Sequence, residues 1–323
     1  MHRFRKQIAF IFGAIALFTY LSIAYYPEKK VSAPVVSLKE ENTYMQIYLK
    51  DTSNTLVPLS IPINQEHSEE DKLQLLFAYM SGKQHIKGFE PLFTKECAPL
   101  KIMKKDKMVS LYFDDTFKNY HKDDELRVLE AITWGASQFR DIEQIQLYLN
   151  NVLLTKMPIT HTPIPAILTR RIGINNFENA TSSLHLSTPL TVFYTKNVSG
   201  VTYMVPKTKR VVLEGDSMQS SITNILADIS SSTDLKAPLS IENISVSDAN
   251  IKDGTISLEL NKNILASNQS VKQDVYDSLV LSLGMLPNIE NVEVKVKGVV
   301  VSPQSTKKGS QSVYNLLYNE VIF

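Results

Sequence analysis

Cys97 is the one thiol in this 323-residue chain and therefore the first candidate for a nucleophile. A thiolate nucleophile needs a base beside it, usually a histidine. The six histidines are scattered, at positions 2, 67, 85, 121, 161 and 185. A single cysteine also cannot form a disulfide within the chain. We interpret Cys97 as a half-buried small apolar residue rather than a reactive group.

Two acidic pairs, Asp114-Asp115 and Asp123-Asp124, are of the residue type that acid–base catalysis uses. The chain repeats its pattern 147 residues further along, and those positions hold Asn261-Lys262 and Ser270-Val271 instead. The second repeat therefore does without the carboxylates. We interpret both pairs as solvated turn and helix-cap residues.

Ser305-Thr306-Lys307-Lys308 matches the S-x-x-K pattern of penicillin-binding enzymes. It lies in a polar tail, without the helix start and companion motifs of that chemistry, so we interpret it as a chance match. The sequence has no H-E-x-x-H motif, no cluster of histidines and cysteines, and no Gly-rich phosphate loop among its 11 glycines. We expect no metal, no cofactor, no catalytic residues and no enzymatic activity.

Trp134 is the only tryptophan, and it stands beside Gly135, off the apolar line of a predicted helix. Two interpretations are open. The indole packs at the rim of the core, or it forms a platform for a ligand or partner, where nearby tyrosines would help to stack a sugar. Trp134 is the one residue that we single out as a candidate ligand or partner surface.

Composition and charge restrict the class of protein. Hydrophobic residues make up 43% of the chain and charged residues 21%, which is typical of a folded protein of one large or two ordinary domains. The net charge is +1, but residues 1–30 hold five basic residues against Glu28. The remainder has 29 basic and 32 acidic residues. A mildly acidic body argues against a nucleic-acid partner.

Ile8–Tyr26 is a run of 19 residues without a charge, enough for a helix of about 28 Å that crosses a bilayer core. His2, Arg3, Arg5 and Lys6 precede it, and such flanks stay in the cytoplasm. We predict a cytoplasmic end at 1–7, an uncleaved signal anchor at 8–26 and a tether at 27–44, with the body outside the cytoplasmic membrane. A buried helix, or a signal peptide cleaved after Ser22-Ile23-Ala24, is the alternative.

A duplicated unit organises the body of the chain. Asp106 and Ser110 correspond to Asp253 and Ser257, and Ile142–Ile145 corresponds to Ile289–Val292, all at an offset of 147 residues. An offset held from one strand through a helix to the next strand indicates duplication. We predict a first domain at 45–158, a linker at 159–189, a second domain at 190–303 and a tail at 304–323.

The apolar periodicity predicts the same elements in both copies. Ser68 caps a helix whose apolar stripe is Leu73, Leu76, Phe77 and Met80, and Asp216–Ser230 is its counterpart. A second helix is expected to start at Asp123 in the first copy and at Ser270 in the second copy, where Ser270 would form a capping box with Gln273. Gly135 and Ser282 suggest that this helix lies close on the sheet. We predict an α+β fold: two tandem α/β sandwiches, each ββαββαβ-like with two helices packed on a mixed sheet.

The pattern resembles the GerM-type domain, the GerMN module of bacterial sporulation and germination proteins. The resemblance is carried by Leu190–Val212, by Ser245-Val246-Ser247, by Asp253-Gly254 and by Leu279–Pro287. It covers residues 190–303 closely and 45–158 more loosely. It implies a tandem module on the outer face of the cytoplasmic membrane, tied to envelope assembly during endospore formation, similar to ring-building domains and linked to peptidoglycan. Members are often lipoproteins, but no lipobox cysteine follows the apolar run here. The family implies no catalytic residues.

We therefore expect a non-catalytic, membrane-anchored scaffold that binds envelope or sporulation-complex proteins. The alternative is a peptidoglycan-binding module of general envelope maintenance, and a wall hydrolase is a third hypothesis. Self-association into a homo-oligomer is left open.

Overall fold

A computed structural model describes residues 44–64, 66–176, 187–212, 217–231, 246–266, 269–303, 311–312 and 317–321. The predicted anchor at 8–26 and nearly all of the tether lie outside these residues. Within the part of the chain that the structure describes, none of the helices has the length and apolar character that a bilayer crossing requires.

The first half of the body has seven strands and two α-helices in its described residues. Its elements are β1 Tyr44–Asp51, β2 Leu56–Pro62, α1 Glu69–Met80, β3 Phe89–Glu90, β4 Lys101–Lys105, β5 Met108–Phe113, α2 Glu125–Ala136, β6 Gln144–Leu149 and β7 Val152–Leu153.

The second half repeats this order in its described residues, except that they hold no counterpart of β3 and end with one further strand. Its elements are β8 Thr188–Val198, β9 Val201–Val211, α3 Ser217–Ser231, β10 Val246–Lys252, β11 Thr255–Leu260, α4 Gln273–Leu283, β12 Asn291–Val296, β13 Val299–Val300 and β14 Gln311–Ser312. The predicted α+β duplication is confirmed.

Each half contains a hairpin and a separate mixed sheet. The hairpins are β1–β2, to which β3 adds two residues, and β8–β9. The mixed sheets have the strand orders β4-β5-β6-β7 and β10-β11-β12-β13, with β5–β6 and β11–β12 parallel. A helix connects each parallel pair, which is the connection that parallel strands need.

The register of the mixed sheets repeats at the offset seen in the sequence. Met108 pairs with Gln144, and Thr255 pairs with Asn291, so both partners are displaced by 147 residues. The tight turns before β5 and β11 place Asp106 and Asp253 in the left-handed region, with φ of 53° and 48°. Aspartate tolerates that region better than most residues because its short side chain bonds locally. The next residue of the turn differs, because Gly254 is also left-handed, with φ of 72°, whereas Lys107 is not.

The amphipathic pattern of α1 is confirmed. Leu73, Leu76, Phe77 and Met80 are all buried. Ser68 caps the helix by accepting the Asp71 N–H at 3.1 Å, while the Asp71 carboxylate accepts the Ser68 N–H at 3.0 Å.

The predicted capping box at Ser270 is wrong. The helix α4 begins at Gln273, and its N-cap, Lys272, makes no side-chain cap bond. Val271 instead forms a bridge with Leu265, which delays the start of the helix.

The small residues on the second helices have different neighbours from those predicted. A Cβ on Gly135 would lie 2.6 and 2.8 Å from the two methyl carbons of Leu76, so the close neighbour is helix α1 and not the sheet. Ser282 does contact a strand, where its hydroxyl accepts the Phe193 N–H at 2.9 Å. The prediction therefore holds for Ser282 and fails for Gly135.

Gly135→Ala is expected to lower the free energy of unfolding by about 1–3 kcal/mol, because the new methyl overlaps a buried side chain. Chemical denaturation measures this loss. The double variant Gly135→Ala/Leu76→Ala should lose less than the sum of the single variants, because Leu76→Ala makes room for the methyl. Additive losses would contradict this account of the contact.

Candidate functional site: the junction between the repeats

Trp134 does not provide a surface platform. Its side chain is 1% exposed, and its indole N–H donates to the Gly173 carbonyl at 2.9 Å. Tyr48 meets the ring edge-on at 6.4 Å, and the Arg170 guanidinium lies 4.8 Å from the ring centre. No ring face remains open to a sugar, so the ligand-platform hypothesis for Trp134 is wrong. The indole packs as the other interpretation expected, but inside the core rather than at its rim.

Cys97 is 1% exposed, more deeply buried than predicted. Burial raises the pKa of its thiol to about 12, so the group stays protonated and unreactive at physiological pH. The S-x-x-K sequence at 305–308 lies outside the described residues.

The acidic pairs have structural partners. Asp114 accepts the Thr116 N–H, and Asp115 pairs with Lys118 at 2.7 Å, as expected for turn residues. Asp124 departs from the prediction because it is 3% exposed rather than solvated. It binds the buried Lys50 at 2.6 Å, which neutralises both charges away from water. Among the described residues, no three of the histidine, cysteine and carboxylate side chains gather as metal ligands would.

The polar residues that do converge lie where the two halves of the body meet. The strands β2 and β9 each carry a proline, Pro58 and Pro206, at positions 148 residues apart. A proline has no N–H to offer a neighbouring strand. Side chains from elsewhere in the chain supply the missing connections between the two strands.

Asn175 provides the first connection. Its amide oxygen accepts the Leu56 N–H at 2.8 Å, and its amide nitrogen donates to the carbonyls of Leu56 and Pro206 at 2.7 and 2.9 Å. Asn175 is 3% exposed. A single buried side chain thus joins the first hairpin to the second.

Asn319 repeats this arrangement with the halves exchanged. Its oxygen accepts the Met204 N–H at 2.7 Å, and its nitrogen donates to the carbonyls of Met204 and Pro58 at 2.7 and 2.6 Å. Met204 corresponds to Leu56, since both lie two residues before the matched prolines. Asn175 and Asn319 both adopt left-handed backbones, with φ of 52° and 54°.

The backbone beside each asparagine also crosses to the other half. The Thr208 N–H in β9 donates to the Ile174 carbonyl, and the Ser60 N–H in β2 donates to the Asn319 carbonyl, both at 2.9 Å. Val321 then donates to the Ser60 carbonyl at 3.0 Å. The segment after each repeat therefore binds the hairpin of the other repeat.

Glu130 of α2 lies beneath this junction. It is 2% exposed and accepts the Asn175 N–H at 3.1 Å. Burial raises the pKa of this carboxyl to about 7, against the smaller opposing effects of the Asn175 bond and of the Arg127 charge.

An ion pair between a half-buried lysine and a buried carboxylate connects the same two hairpins. Lys196 of β8 binds the Asp51 carboxylate at 2.7 Å and also donates to the hydroxyls of Ser53 and Thr55. Burial alone would raise the pKa of Asp51, but bonds from Lys196, Thr55 and Ser53 together hold it below its usual value. The Asp51 carboxylate therefore stays charged at physiological pH.

Arg170 contacts the C-terminal ends of both second helices. Its Nε donates to the hydroxyl of Ser137, the C-cap of α2, at 2.9 Å, and Nη1 lies 4.0 Å from the sulfur of Met285, just after α4. Helix C-termini carry partial negative charge, which a guanidinium stabilises. Together with its position over Trp134, this makes Arg170 a bridge between the halves.

Arg170→Ala is expected to cost about 2 kcal/mol of stability, through the lost stacking on Trp134 and the lost bond to Ser137. Arg170→Lys should recover less than half of this loss, because an ammonium lacks the planar fork of guanidinium. Thermal unfolding of the three proteins checks both values. Equal stability of the lysine variant and the parent would show that charge alone matters here.

The predictions from sequence missed Asn175, Asn319 and Arg170, because all three fall in the segments taken as linker and tail. The predicted linker at 159–189 in fact includes Leu168 and Ile174, which are at most 1% exposed. One signal was available in the matched dipeptides Val57-Pro58 and Val205-Pro206. Each proline removes a backbone donor from its strand, so both strand edges require bonds from elsewhere in the chain.

The arrangement can hold two repeats together, and its polar groups are used in bonds between them. Every side-chain amide described at the junction is bonded to main chain, which fixes position rather than offering reactivity.

Comparisons with known proteins agree with this architecture. Residues 191–302 match the Germane family model, described as sporulation and spore germination. The spore germination protein GerM of Bacillus subtilis (strain 168) is 30% identical over 262 residues, which cover 78% of this chain and 71% of that protein. The solved tandem GerMN domains of the sporulation protein GerM from Bacillus subtilis superpose with a TM-score of 0.71 at 27% identity, over 83% of this chain and all of the other. The predicted resemblance is confirmed, and the chain belongs to the GerM family of sporulation and spore germination proteins.

Proposed function

We propose that the protein is a non-catalytic scaffold of the bacterial envelope, anchored in the cytoplasmic membrane by residues 8–26 and exposed outside the cytoplasm during sporulation or germination. The junction is the observation that carries the proposal. The polar groups at the junction bond one repeat to the other, through the side chains of Asn175, Asn319 and Lys196. These bonds give a stiff body that is suited to presenting surfaces to partners.

The absence of enzymatic activity is part of the proposal. The candidate nucleophile Cys97 is buried and protonated, and Asp124 is neutralised by Lys50. The wall-binding alternative depended on Trp134 as a sugar-stacking surface, and Trp134 is buried.

Crosslinking with formaldehyde in sporulating cells tests the scaffold function on the full chain. We expect envelope proteins to be recovered with the parent and with the exposed-turn variant Asn151→Ala, and to be lost with the junction variant Asn175→Ala. Recovery of the same partners from Asn175→Ala at equal protein level would contradict the role of the junction.

Two further assays separate the competing functions. Sedimentation of the purified full chain with purified cell wall, in the absence of other proteins, would favour the wall-binding module. A cleared zone in a zymogram would favour the hydrolase. Resistance of the protein to carbonate extraction from membranes tests the anchor.

A further inference from the structure

The mixed sheet of the first repeat has one open face. On β5 and β6 the residues that point towards the helices, such as Leu111 and Ile145, are buried. Side chains alternate along a strand, so the residues between them point the other way. We call this opposite surface the tyrosine face; it comprises Lys101, Met103, Lys105, Ser110, Tyr112, Gln146 and Tyr148.

The tyrosine face has a continuous row of stacked side chains. Tyr112 and Tyr148 stack with ring centres 4.4 Å apart and planes inclined by 14°. The Lys101 ammonium lies 5.4 Å from the centre of the Tyr112 ring. Lys101, Tyr112 and Tyr148 are paired across three neighbouring strands, so Tyr112 has Lys101 on one side and Tyr148 on the other.

The two repeats differ on this face and not beneath it. The inner positions of β5 and β11 are apolar in both repeats. Lys105 and Ser110 correspond to an identical Lys252 and Ser257. The other five outer positions change in chemical type at the offset of 147 residues; the pairs are Lys101 and Asp248, Met103 and Asn250, Tyr112 and Glu259, Gln146 and Glu293, and Tyr148 and Lys295. Packing explains the retained core, whereas it does not require an aromatic and basic outer face in only one copy.

The charges on the two faces have opposite sign. The tyrosine face has two lysines, Lys101 and Lys105, and no acid, while the equivalent face has three acids and two lysines. Within the described ranges, neither Lys101 nor Lys105 has an ion-pair partner. Lys104 and Lys107 of the same hairpin are paired with Glu69 and Glu143. Two positive charges are thus left for a partner.

The tyrosine face is accessible along its edge. The strand β4 is the outermost strand of its sheet, and Met103 is 46% exposed. Leu100, just before this strand, is 71% exposed. Tyrosine and methionine are enriched at protein interfaces, and free lysines favour an acidic counterpart. A sugar is disfavoured because stacked neighbours already cover both faces of the Tyr112 ring.

We infer that the tyrosine face docks an acidic segment of a protein partner. The inference rests on the proposed scaffold function and assigns it a surface and a partner chemistry. The acidic groups would meet Lys101 and Lys105, and apolar side chains would cover Met103 and the edges of the tyrosines.

Photo-crosslinking from matched positions tests this inference. The photoreactive residue p-benzoylphenylalanine is placed at position 103 or at its equivalent, position 250, in the full-length protein in sporulating cells. The peptides that become attached are identified by mass spectrometry. We expect adducts from position 103 to peptides of net negative charge, at about ten times the yield from position 250.

Charge reversal provides the second arm. Lys101→Glu/Lys105→Glu is expected to reduce the adducts from position 103 about tenfold, because like charges now face each other. Lys252→Glu, the equivalent of Lys105→Glu in the second repeat, should leave them unchanged. Unchanged melting temperatures of these variants show that each one folds.

Four results would overturn the inference. Neutral or basic peptides at position 103, or insensitivity to the double charge reversal, would remove the acidic partner. Protein adducts at position 250 alone would reject the tyrosine face while leaving the scaffold function intact. Cell-wall fragments at position 103, without protein adducts at either position, would reject both.

Discussion

Asn175→Ala is expected to lower the free energy of unfolding by about 4 kcal/mol, the largest loss that we predict for a single polar side chain in this protein. The substitution leaves the Leu56 N–H and the carbonyls of Leu56 and Pro206 without their bonds to the amide. A buried backbone group that loses its partner costs about 1–3 kcal/mol. Denaturant titration followed by circular dichroism measures the loss.

The control for this experiment separates the bonds from the backbone conformation. Asn151 also has a left-handed backbone, with φ of 65°, but it lies exposed in a turn. Asn151→Ala therefore shows what alanine costs at positive φ alone, about 1 kcal/mol. If both variants lost the same amount, the junction bonds would contribute nothing. Asn319→Ala, the symmetric change, should resemble Asn175→Ala.

Glu130→Gln is expected to stabilise the protein by about 3 kcal/mol above pH 8, and to remove the contribution of this one carboxyl to the pH dependence of stability between pH 4.5 and 7. Burial raises the pKa of Glu130 from 4.5 to about 7. The folded protein therefore keeps this proton where the unfolded chain has lost it. Its contribution is fully present below pH 4.5 and is lost as the pH rises through 7.

The difference in unfolding free energy between parent and variant, measured from pH 4 to 9, isolates this residue. Asp277, whose pKa burial raises to about 6, acts in the same direction but is present in both proteins and cancels. Glutamine keeps an oxygen to accept the Asn175 N–H. A difference that is flat across this range would show that Glu130 titrates normally in the folded protein.

The repeated unit could be predicted from the sequence because its signal is periodic. Leu73, Leu76, Phe77 and Met80 fall on one helix face, and this regularity can be seen without knowing what lies opposite. The parallel pairing of β5 with β6 follows from the duplicated strand–helix–strand pattern.

The junction could not be predicted because nothing periodic marks it. Asn175 and Asn319 are single polar residues in segments of mixed composition, and their partners lie 119 and 261 residues away. The burial of Trp134 depends in the same way on Gly173, 39 residues further on. The meaning of such residues is set by long-range contacts, which local spacing does not encode.

Because the covering segments come from the other repeat, one strand edge stays uncovered while the chain is being synthesised. Ser60 emerges from the ribosome long before the segment that covers its strand edge, since Asn319 follows it by 259 residues. At about 5–20 residues per second, the edge of β2 waits on the order of tens of seconds for its cover. During that interval the nascent first repeat presents an unprotected strand, and Pro58 then guards against premature pairing with a foreign chain. Pro58, which Asn319 bonds in the folded protein, thus also protects the incomplete chain from pairing with another strand.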